Sequence, residues 1–344
     1  MPFHWGVSRP KMVNLSILKP VACNKLKGNS MKKLTLALLS GGISSERDVS
    51  IASGDQVFEA LDSEKYDIIR YDPKTDISRL VADAHHIDAA LIILHGPMGE
   101  DGTIQGLLDL LEIPYQGSGV LGSAIAMNKL VSKQLYEKSG LRVPPYMVIK
   151  RDDVLNPEQC AEQLGLPLVV KPIGSGSSVG ISIVKSIDRL THAVNEAFAH
   201  DNGLLLEAYI DGIELTGGVI GNDNIEALPI IEIIPDNSYD FFDYTAKYTA
   251  GATQEICPAR IDDELTQKAQ AIAKTAHNAL FCRGYSRTDM ILKDQDFFVL
   301  ETNTIPGMTA TSLLPIAADA AGIPFSRLLD RLIELSIEAH KTNR

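Results

Sequence analysis

Short apolar runs alternate with segments of helical periodicity in the first third of the chain. Residues 34–39, 66–71 and 89–94 are apolar runs with the length of buried strands. Helical patterns at 44–61 and 76–84 connect them. Because a strand–helix–strand–helix–strand order implies a parallel sheet, this pattern predicts an α/β domain near the start of the chain.

The rest of the chain contains further strands and four longer helical patterns. We expect strands at 166–171, 181–184, 204–210, 225–234, 285–292 and 297–301, and helices at 123–139, 263–281, 310–321 and 324–340. A polar and aromatic loop at 235–251 separates strand 225–234 from helix 263–281. Loops of this length inside a compact domain are usually functional, so we interpret it as a lid.

Polar side chains are concentrated on the two strands that surround residues 294–296. Side chains alternate along a strand, so Arg287 and Asp289 share one face, as do Glu301 and Asn303. A hairpin with a three-residue loop at 294–296 would set Asp289 opposite Glu301, and Arg287 would then face Asn303. Facing carboxylates repel unless a cation lies between them, and oxygen ligands suit Mg²⁺ or Mn²⁺. The alternative is an edge hairpin with solvated charges, which the apolar flanking runs disfavour.

Two polar loops of the N-terminal domain follow strands at their carboxyl ends, where open α/β sheets place ligands. Glu46 comes shortly after a glycine turn and near the start of a helix, and His95 begins a loop rich in Gly and Pro. These features favour a binding role for both side chains. Alternatively, Glu46 only compensates a helix dipole and His95 is satisfied by turn carbonyls.

A glycine-rich loop at 173–180 lies between two strands, with Lys171 at the end of the first. Walker and Rossmann loops open a helix, so this order instead predicts a flap whose backbone N–H groups fold over phosphates, the alternative being a mobile hairpin tip. The segment 117–122 also matches GxGxxG, but no proper strand precedes it. We interpret it as a loop that caps a helix and marks a domain boundary. That helix carries Lys129 and Lys133, one of which could face a phosphate.

Composition indicates a soluble globular enzyme and narrows the range of partners. Lys and Arg number 32 against 44 acidic residues, a net charge of −12, which argues against nucleic acid and anionic membranes as main partners. The 4 cysteines include no CxxC pair, so we expect reduced thiols in a cytosolic protein. No apolar run reaches the roughly 20 residues of a membrane span. Residues 1–30 lack periodicity and are expected to be a disordered or non-native extension that is dispensable, with Met31 as an alternative start.

Several longer motifs occur in a fixed order along the chain. They are Gly41-Gly-Ile-Ser-Ser-Glu-Arg-Asp-Val-Ser50, His95-Gly-Pro-Met-Gly-Glu-Asp-Gly102, Lys171-Pro followed by Gly176-Ser-Ser-Val-Gly180, Phe242-Asp-Tyr-Thr-Ala-Lys-Tyr248, and Glu301-Thr-Asn-Thr-Ile-Pro-Gly-Met-Thr-Ala-Thr-Ser-Leu313. Together they resemble the D-alanine–D-alanine ligases of the ATP-grasp superfamily, from about residue 34 to residue 335. The resemblance implies an α/β and α+β protein, in which an N-terminal parallel-sheet α/β domain is followed by a two-lobed ATP-grasp fold. It divides the chain into the extension 1–30, a substrate domain 31–118, a central lobe with the flap at 119–207, and a C-terminal lobe with the lid and metal site at 208–344.

The resemblance also implies a reaction and its partners. Two D-alanines would be joined to D-alanyl-D-alanine through an acyl phosphate, with release of ADP and phosphate, for peptidoglycan synthesis in the bacterial cytoplasm. ATP would be the co-substrate, two Mg²⁺ or Mn²⁺ ions the cofactors, and a homodimer the expected assembly. Neither nucleic acid nor membrane is expected as a partner.

Site residues follow from the resemblance by motif match. The metal ligands would be Asp289, Glu301 and Asn303, and the ATP-binding residues would be Lys129, Lys171, Gly176, Ser178, Glu207, Ala208, Tyr209, Ile210, Glu214 and Lys247. The catalytic residues would be Glu46, Ser177, Tyr248, Arg287 and Ser312, with further substrate contacts from Val49, His95, Gly307 and Leu313. Among these, Glu46 would hold the first amine, Arg287 would face the reacting carboxyl oxygen, and Ser312 would meet the second carboxylate.

Alternative functions remain open at this stage. Another ATP-grasp ligase could join a different acid and amine, and a catalytically silent ATP-binding regulator or a Rossmann dehydrogenase are more distant alternatives. Tyr248 in the lid bears on selectivity, because a neutral phenol places no positive charge over an incoming ammonium group. We therefore expect the amide with D-alanine rather than the ester with D-lactate.

Overall fold

The N-terminal part of the chain forms a three-stranded parallel sheet. A computed structural model describes residues 32–174, 176, 179–235 and 253–342. Strands β1 (Leu34–Ser40), β2 (Tyr66–Tyr71) and β3 (Ala89–Ile93) pair in the order β2-β1-β3, and all pairs are parallel. Helices α1 (Arg47–Ala60) and α2 (Ile77–Asp83) connect them, with a 3₁₀ turn at Ala84–His86. The predicted α/β arrangement is confirmed.

Three helices follow this sheet: α3 (Thr103–Leu110), α4 (Val120–Met127) and α5 (Lys129–Lys138). The single helix predicted at 123–139 is wrong, because the chain breaks at Asn128. Its extended backbone ends α4, and its side chain accepts a hydrogen bond from the Val131 N–H, which caps α5. Of the GxGxxG segment at 117–122, only residues 117–119 form the predicted loop, since Gly119 is the N-cap of α4 and residues 120–122 are its first turn.

A second, antiparallel sheet spans the middle of the chain. Its strands β4 (Tyr146–Lys150), β5 (Leu168–Pro172), β6 (Ser182–Val184) and β7 (Gly203–Ala208) pair in the order β4-β7-β5-β6. Helices α6 (Pro157–Leu164) and α7 (Ile187–Ala197) contribute Cys160, Leu190 and Val194 to the core beneath it. The glycine loop connects β5 to β6, so the strand–loop–strand prediction is confirmed.

A third sheet completes the fold. Strands β8 (Ile213–Gly221), β9 (Glu226–Ala227), β10 (Ile231–Pro235), β11 (Thr253–Ile256), β12 (Gly284–Lys293) and β13 (Asp296–Asn303) form it, in the order β11-β10-β8-β12-β13 with β9 beside β8. The continuous strand predicted at 225–234 is two strands, because Pro229 between them has no N–H to donate to a ladder. Helices α8 (Asp263–Ala279), α9 (Leu313–Ala320) and α10 (Phe325–Thr342) follow the predicted pattern closely. The predicted lid lies almost wholly outside the described residues.

The hairpin β12–β13 has the predicted pairing but not the predicted turn. Lys293 pairs with Asp296, so the loop has two residues, and Asp294 adopts a positive φ of 57°. The register then shifts at a bulge between the Asp289 and Met290 pairs. The bulge restores the pairing of Asp289 with Glu301 and of Arg287 with Asn303.

One core cluster joins the first sheet to the end of the chain. Leu36 and Leu91 pack in the same cluster as Ile233 of β10 and Leu332 of α10. Within the described residues no helix is both long and apolar enough to cross a membrane. Cys160, Cys257 and Cys282 are free thiols, as expected, and Cys23 lies outside the described residues.

Candidate active site

A cleft between the second and third sheets contains most of the charged residues that the sequence singled out. Side chains that could contact a charged ligand come from α5, β5, β7, β8, β12 and β13: Lys129, Lys171, Glu207, Glu214, Asp289 and Glu301. The apolar walls are Pro144, Val169, Ile181, Ile183, Ile291 and Leu300. Ala208, Tyr209 and Ile210 line the same cleft directly after β7. Two ammonium groups, on α5 and β5, therefore line the same cleft as the carboxylate pair of β12 and β13, and both sheets contribute to its apolar walls.

Glu207 links two lysines at the floor of the cleft. Its Oε2 atom lies 2.6 Å from the Lys171 Nζ atom, and its Oε1 atom lies 2.9 Å from the Lys133 Nζ atom. Burial acts to raise the pKa of Glu207, but the two ammonium groups outweigh it and hold the pKa below its ordinary value. Only one of Lys129 and Lys133 was expected to face inward. Lys129 lines the cleft, whereas Lys133, one helical turn away on α5, is buried against Glu207.

The carboxylate of Asp289 is surrounded by donors. Arg287 donates from Nε to Oδ1 at 2.9 Å and from Nη2 to Oδ2 at 2.8 Å, a bidentate pair. The Thr216 hydroxyl donates at 2.6 Å, and the Asn303 amide at 3.1 Å. Asp289 is buried, and Glu301 stands opposite it on β13.

These residues fit a hard divalent cation. Asp289, Glu301 and Asn303 supply oxygen ligands, which Mg²⁺ and Mn²⁺ prefer, and the first two are cross-strand neighbours. The Asn303 amide oxygen becomes available if its side chain is turned over. In the part of the chain that the structure describes, no cluster of three or more His, Cys, Asp or Glu residues has the geometry of a metal site. The metal would therefore depend on the amide and on the substrates to complete its coordination.

The loops at 41–47 and 95–100, here called the loop pair, lie beyond the carboxyl ends of β1 and β3. Glu46 is buried at the N-cap of α1, and a Cβ built on Gly96 would lie 3.3 Å from its Oε2 atom. His95 is buried, and its Nε2 atom has no hydrogen-bond partner among the described residues. Burial lowers the pKa of His95, an effect that the Glu46 carboxylate opposes and the Arg287 guanidinium reinforces. Both charges therefore act on this imidazole.

Glu100 is a functional candidate that the sequence reasoning missed. Its Oε2 atom accepts a hydrogen bond from the Gly96 N–H at 2.6 Å, which fixes the loop after His95. Burial raises the pKa of Glu100 to about 8, against the Gly96 hydrogen bond, and the charges of Glu46 and Glu301 add to the rise. The signal in the sequence was its place within the Gly- and Pro-rich loop that begins at His95.

Arg47 and Asp72 hold the first half of the loop pair in place. Arg47 donates to the Gly42 carbonyl at 2.7 Å and to Asp72 Oδ2 at 2.6 Å, and Asp72 Oδ1 accepts from the Gly42 N–H at 2.9 Å. Burial acts to raise the pKa of Asp72, but Arg47 and two backbone donors lower it to about 2. Gly41 and Gly42 have φ values of 98° and 80°, which L side chains rarely adopt.

Some of the remaining predicted residues lie near the start of α1, in the flap or near the start of α9, and the others lie outside the described residues. Ser312 is the N-cap of α9, its hydroxyl accepts from the Thr309 N–H at 3.1 Å, and a Cβ on Gly307 would lie 2.9 Å from its Oγ atom. Leu313 is the first residue of α9 and is buried, and Val49 lies in the first turn of α1. Gly176 approaches Gly96, since a built Cβ would lie 3.9 Å from the Gly96 Cα atom. Ser177, Ser178, Lys247 and Tyr248 lie outside the described residues.

A parallel α/β domain comes first in this chain, and two antiparallel sheets that enclose lysines and carboxylates follow it. This combination defines the ATP-grasp class of enzymes. The family model for the D-ala D-ala ligase N-terminus matches residues 72–118, and the model for the D-ala D-ala ligase C-terminus matches residues 135–334. The chain belongs to the D-alanine–D-alanine ligase family.

Individual relatives agree with this assignment. A D-alanine–D-alanine ligase of Syntrophobacter fumaroxidans is 62% identical over 309 residues, which cover 90% of this chain and 99% of that protein. The structure of D-alanine–D-alanine ligase from Bacillus anthracis complexed with ATP matches with a TM-score of 0.79 and 37% identity, over 90% of this chain and 100% of that one. The VanG D-Ala:D-Ser ligase from Enterococcus faecalis matches with a TM-score of 0.75 and 33% identity, over 89% and 100% of the two chains.

Proposed function

We infer that this chain joins two D-alanines to D-alanyl-D-alanine with consumption of ATP. The observation that carries this proposal is the cleft, which Lys129 and Lys171 line together with Asp289 and Glu301. Such an arrangement can hold a nucleoside triphosphate, with its terminal phosphate directed at the end of the cleft that the two carboxylates line. The loop pair, with the buried Glu46, lies near enough for its charge to act on the same groups as Arg287.

The nucleotide would lie with its base between the apolar walls of the cleft. The extended segment of Ala208, Tyr209 and Ile210 offers backbone groups to an adenine edge, and Glu214 is placed for the ribose hydroxyls. Lys129 and Lys171 would neutralise phosphate charge. Phosphoryl transfer needs positioning and charge neutralisation more than a protein nucleophile, which fits this set of residues.

The first D-alanine would bind at the loop pair with its ammonium group against Glu46. Its carboxylate oxygen attacks the γ-phosphorus, the bond to ADP breaks, and an acyl phosphate forms. A free carboxylate is a poor acyl donor, so this step supplies the leaving group for the next one. Arg287, opposite Asn303 on the hairpin, would face the region where charge develops on the carboxyl oxygen.

The second D-alanine would bind with its carboxylate at the start of α9. Backbone N–H groups at a helix N-terminus bind anions, and Ser312 and Leu313 occupy that position. Its amine attacks the acyl carbon, the amide bond forms, and phosphate leaves together with the amine proton. Arg287 and the Gly307 N–H would stabilise the tetrahedral oxyanion.

Asp289, Glu301 and Asn303 would hold Mg²⁺ or Mn²⁺, with two ions expected. When bound, the metal neutralises phosphate charge and orients the phosphate groups. The proposal also includes three domains, at 31–118, 119–207 and 208–344. It further includes a homodimer and a location in the bacterial cytoplasm.

The assay that tests the proposal measures phosphate release and product together. D-alanine, ATP and Mg²⁺ are supplied to the purified protein, phosphate is followed, and the dipeptide is identified by mass. Stoichiometric phosphate and D-alanyl-D-alanine are expected. ATP hydrolysis without dipeptide, or dipeptide formation from other amino acids only, would instead support a different carboxylate–amine ligase.

One observation favours an alternative, in which the second substrate is not D-alanine, because a D-Ala:D-Ser ligase is among the structural neighbours. The same assay therefore contains D-serine and D-lactate in competition with D-alanine near pH 7. We expect the D-alanyl-D-alanine amide to dominate, because Tyr248 is neutral at that pH and does not repel an ammonium group. A dominant ester or D-serine product contradicts this role of Tyr248.

A further inference from the structure

Among the described residues, Lys133 is the most deeply buried charged side chain near the cleft, and the proposed reaction assigns it no role. It is 0% exposed, whereas its helical neighbour Lys129 lines the cleft. Burying an ammonium group in a protein interior is costly unless a carboxylate compensates it. A lysine retained at such a position therefore calls for a physical reason.

The partner of Lys133 is Glu207, which it shares with Lys171. The Lys133 Nζ atom lies 2.9 Å from Oε1, and the Lys171 Nζ atom lies 2.6 Å from Oε2, so each oxygen faces one ammonium group. The Lys133–Glu207 contact is an ion pair between two buried groups, so its Coulombic attraction is only weakly screened. The centroid of the Tyr146 ring lies 5.8 Å from the Lys133 Nζ atom.

Together, Lys133, Lys171 and Glu207 carry two positive charges and one negative charge. Burial lowers the pKa of Lys133 to about 8, and the Glu207 carboxylate opposes that effect. A carboxylate with only one lysine partner can bind that ammonium group through both of its oxygens and neutralise its charge. With Lys133 on Oε1, Glu207 can engage Lys171 through Oε2 alone, so Lys171 keeps part of its attraction for an anion in the cleft.

We propose that Lys133 is a positioning residue for the nucleotide: by occupying one oxygen of Glu207, it keeps Lys171 directed at the phosphates of the bound substrate. The proposal rests on the proposed function in one respect, that Lys171 contacts nucleotide phosphates. Lys133 itself touches neither substrate. Its effect belongs to nucleotide binding and not to the D-alanine subsites, which lie at the loop pair and at α9.

The first test replaces Lys133 by Met, which has a similar length, no charge and an adaptable shape. Calorimetry measures the affinity of Mg²⁺-ADP without D-alanine, and steady-state kinetics gives KM for ATP and for D-alanine. We expect the ADP dissociation constant to rise about 10- to 100-fold, less than the loss of a direct charged partner usually causes, because Lys133 acts on the phosphates only through Glu207 and Lys171. The KM for D-alanine should stay within about twofold. Lys138→Met, an exposed lysine at the end of the same helix, is the matched control and should leave both values unchanged.

The second test asks whether Lys133 acts through Glu207. Glu207→Gln and the double variant K133M/E207Q are compared with K133M by the same ADP titration. If Lys133 acts through the carboxylate, the double variant should bind ADP no more weakly than Glu207→Gln alone. Independent losses that multiply in the double variant would overturn the proposal.

Failure of this proposal is distinguishable from failure of the proposed function. If the unaltered protein binds no ADP, the nucleotide role of the cleft is wrong. If it binds ADP and a folded K133M binds equally well, only the positioning role is wrong. Should Lys133→Met not fold, Lys133→Gln keeps a donor without the charge and is expected to lose ADP affinity in the same direction; unchanged affinity there also overturns the proposal.

Discussion

The cleft and the loop pair hold their charged groups in different ways. In the cleft, Asp289 and Glu301 are fixed by strand pairing, and Glu207 is fixed between two lysines on a strand and a helix. In the loop pair, Glu46 and His95 depend on hydrogen bonds from other loop residues, such as Arg47 to Asp72 and Gly96 to Glu100. A site on regular elements is precise because the backbone ladder sets it, whereas a site on loops needs dedicated side chains to hold it.

The largest effect is expected from the cleft carboxylate that faces Asp289. Glu301→Gln keeps the shape but removes a charge, so we expect turnover to fall about 100-fold or more, since a correctly held metal contributes several kcal/mol. A Mg²⁺ titration of turnover should also shift to higher concentration. Asp294→Asn, in the exposed turn of the same hairpin, is the control and should change neither. An unchanged metal dependence in Glu301→Gln would show that this residue is not a ligand.

A smaller effect, confined to the other region, is expected from the loop pair. Asp72→Asn weakens the Arg47 pair and one acceptor for Gly42, so the glycine turn before Glu46 loosens. We expect KM for D-alanine to rise about tenfold, because small displacements of a binding group carry large rate effects. ADP affinity should not change. Asp67→Asn, an exposed carboxylate on β2, is the matched control, and an equal loss of ADP affinity in Asp72→Asn would mean that the two regions are not separable.

The effect that is smallest at neutral pH acts on stability, through a buried histidine behind the cleft, and grows as the pH falls. His277 on α8 is buried and its Nδ1 atom lies 2.7 Å from the hydroxyl of Ser286, next to Arg287 on β12. Burial lowers the pKa of His277 to about 4, although the backbone of Cys282 partly opposes this. The unfolded chain therefore binds more protons than the folded chain between about pH 6.5 and pH 4.

Stability should accordingly be constant with respect to this group above about pH 6.5 and fall as the pH decreases through that window. The loss should be about 1 kcal/mol near pH 5.5 and about 3 kcal/mol below pH 4. Denaturant unfolding at several pH values measures it. His277→Gln should reduce the slope in this window, while His192→Gln, on the exposed face of α7, should not. A slope that His277→Gln leaves intact would assign the acid sensitivity to other groups.

Residue pattern alone determined many of the strands and the faces they present, although β4, β8 and β11 were not predicted. Alternation placed Arg287 with Asp289 and Glu301 with Asn303, and the strand–loop–strand order distinguished the glycine flap from a Walker or Rossmann loop. These predictions hold because side-chain direction and turn chemistry are local properties of the backbone. The length of the hairpin loop was predicted wrongly, yet the pairing was right, because a bulge of one residue offsets a turn that is one residue shorter.

Only the tertiary structure decided which distant charges meet. Lys133 and Lys171 share Glu207 because β5 lies beside β7 and a side chain from α5 reaches the same carboxylate. Glu100 acquired its raised pKa because burial in the loop pair coincides with the charges of Glu46 and Glu301. Sequence spacing carries no information on such contacts, since desolvation and Coulomb interactions depend on distance in space and not along the chain.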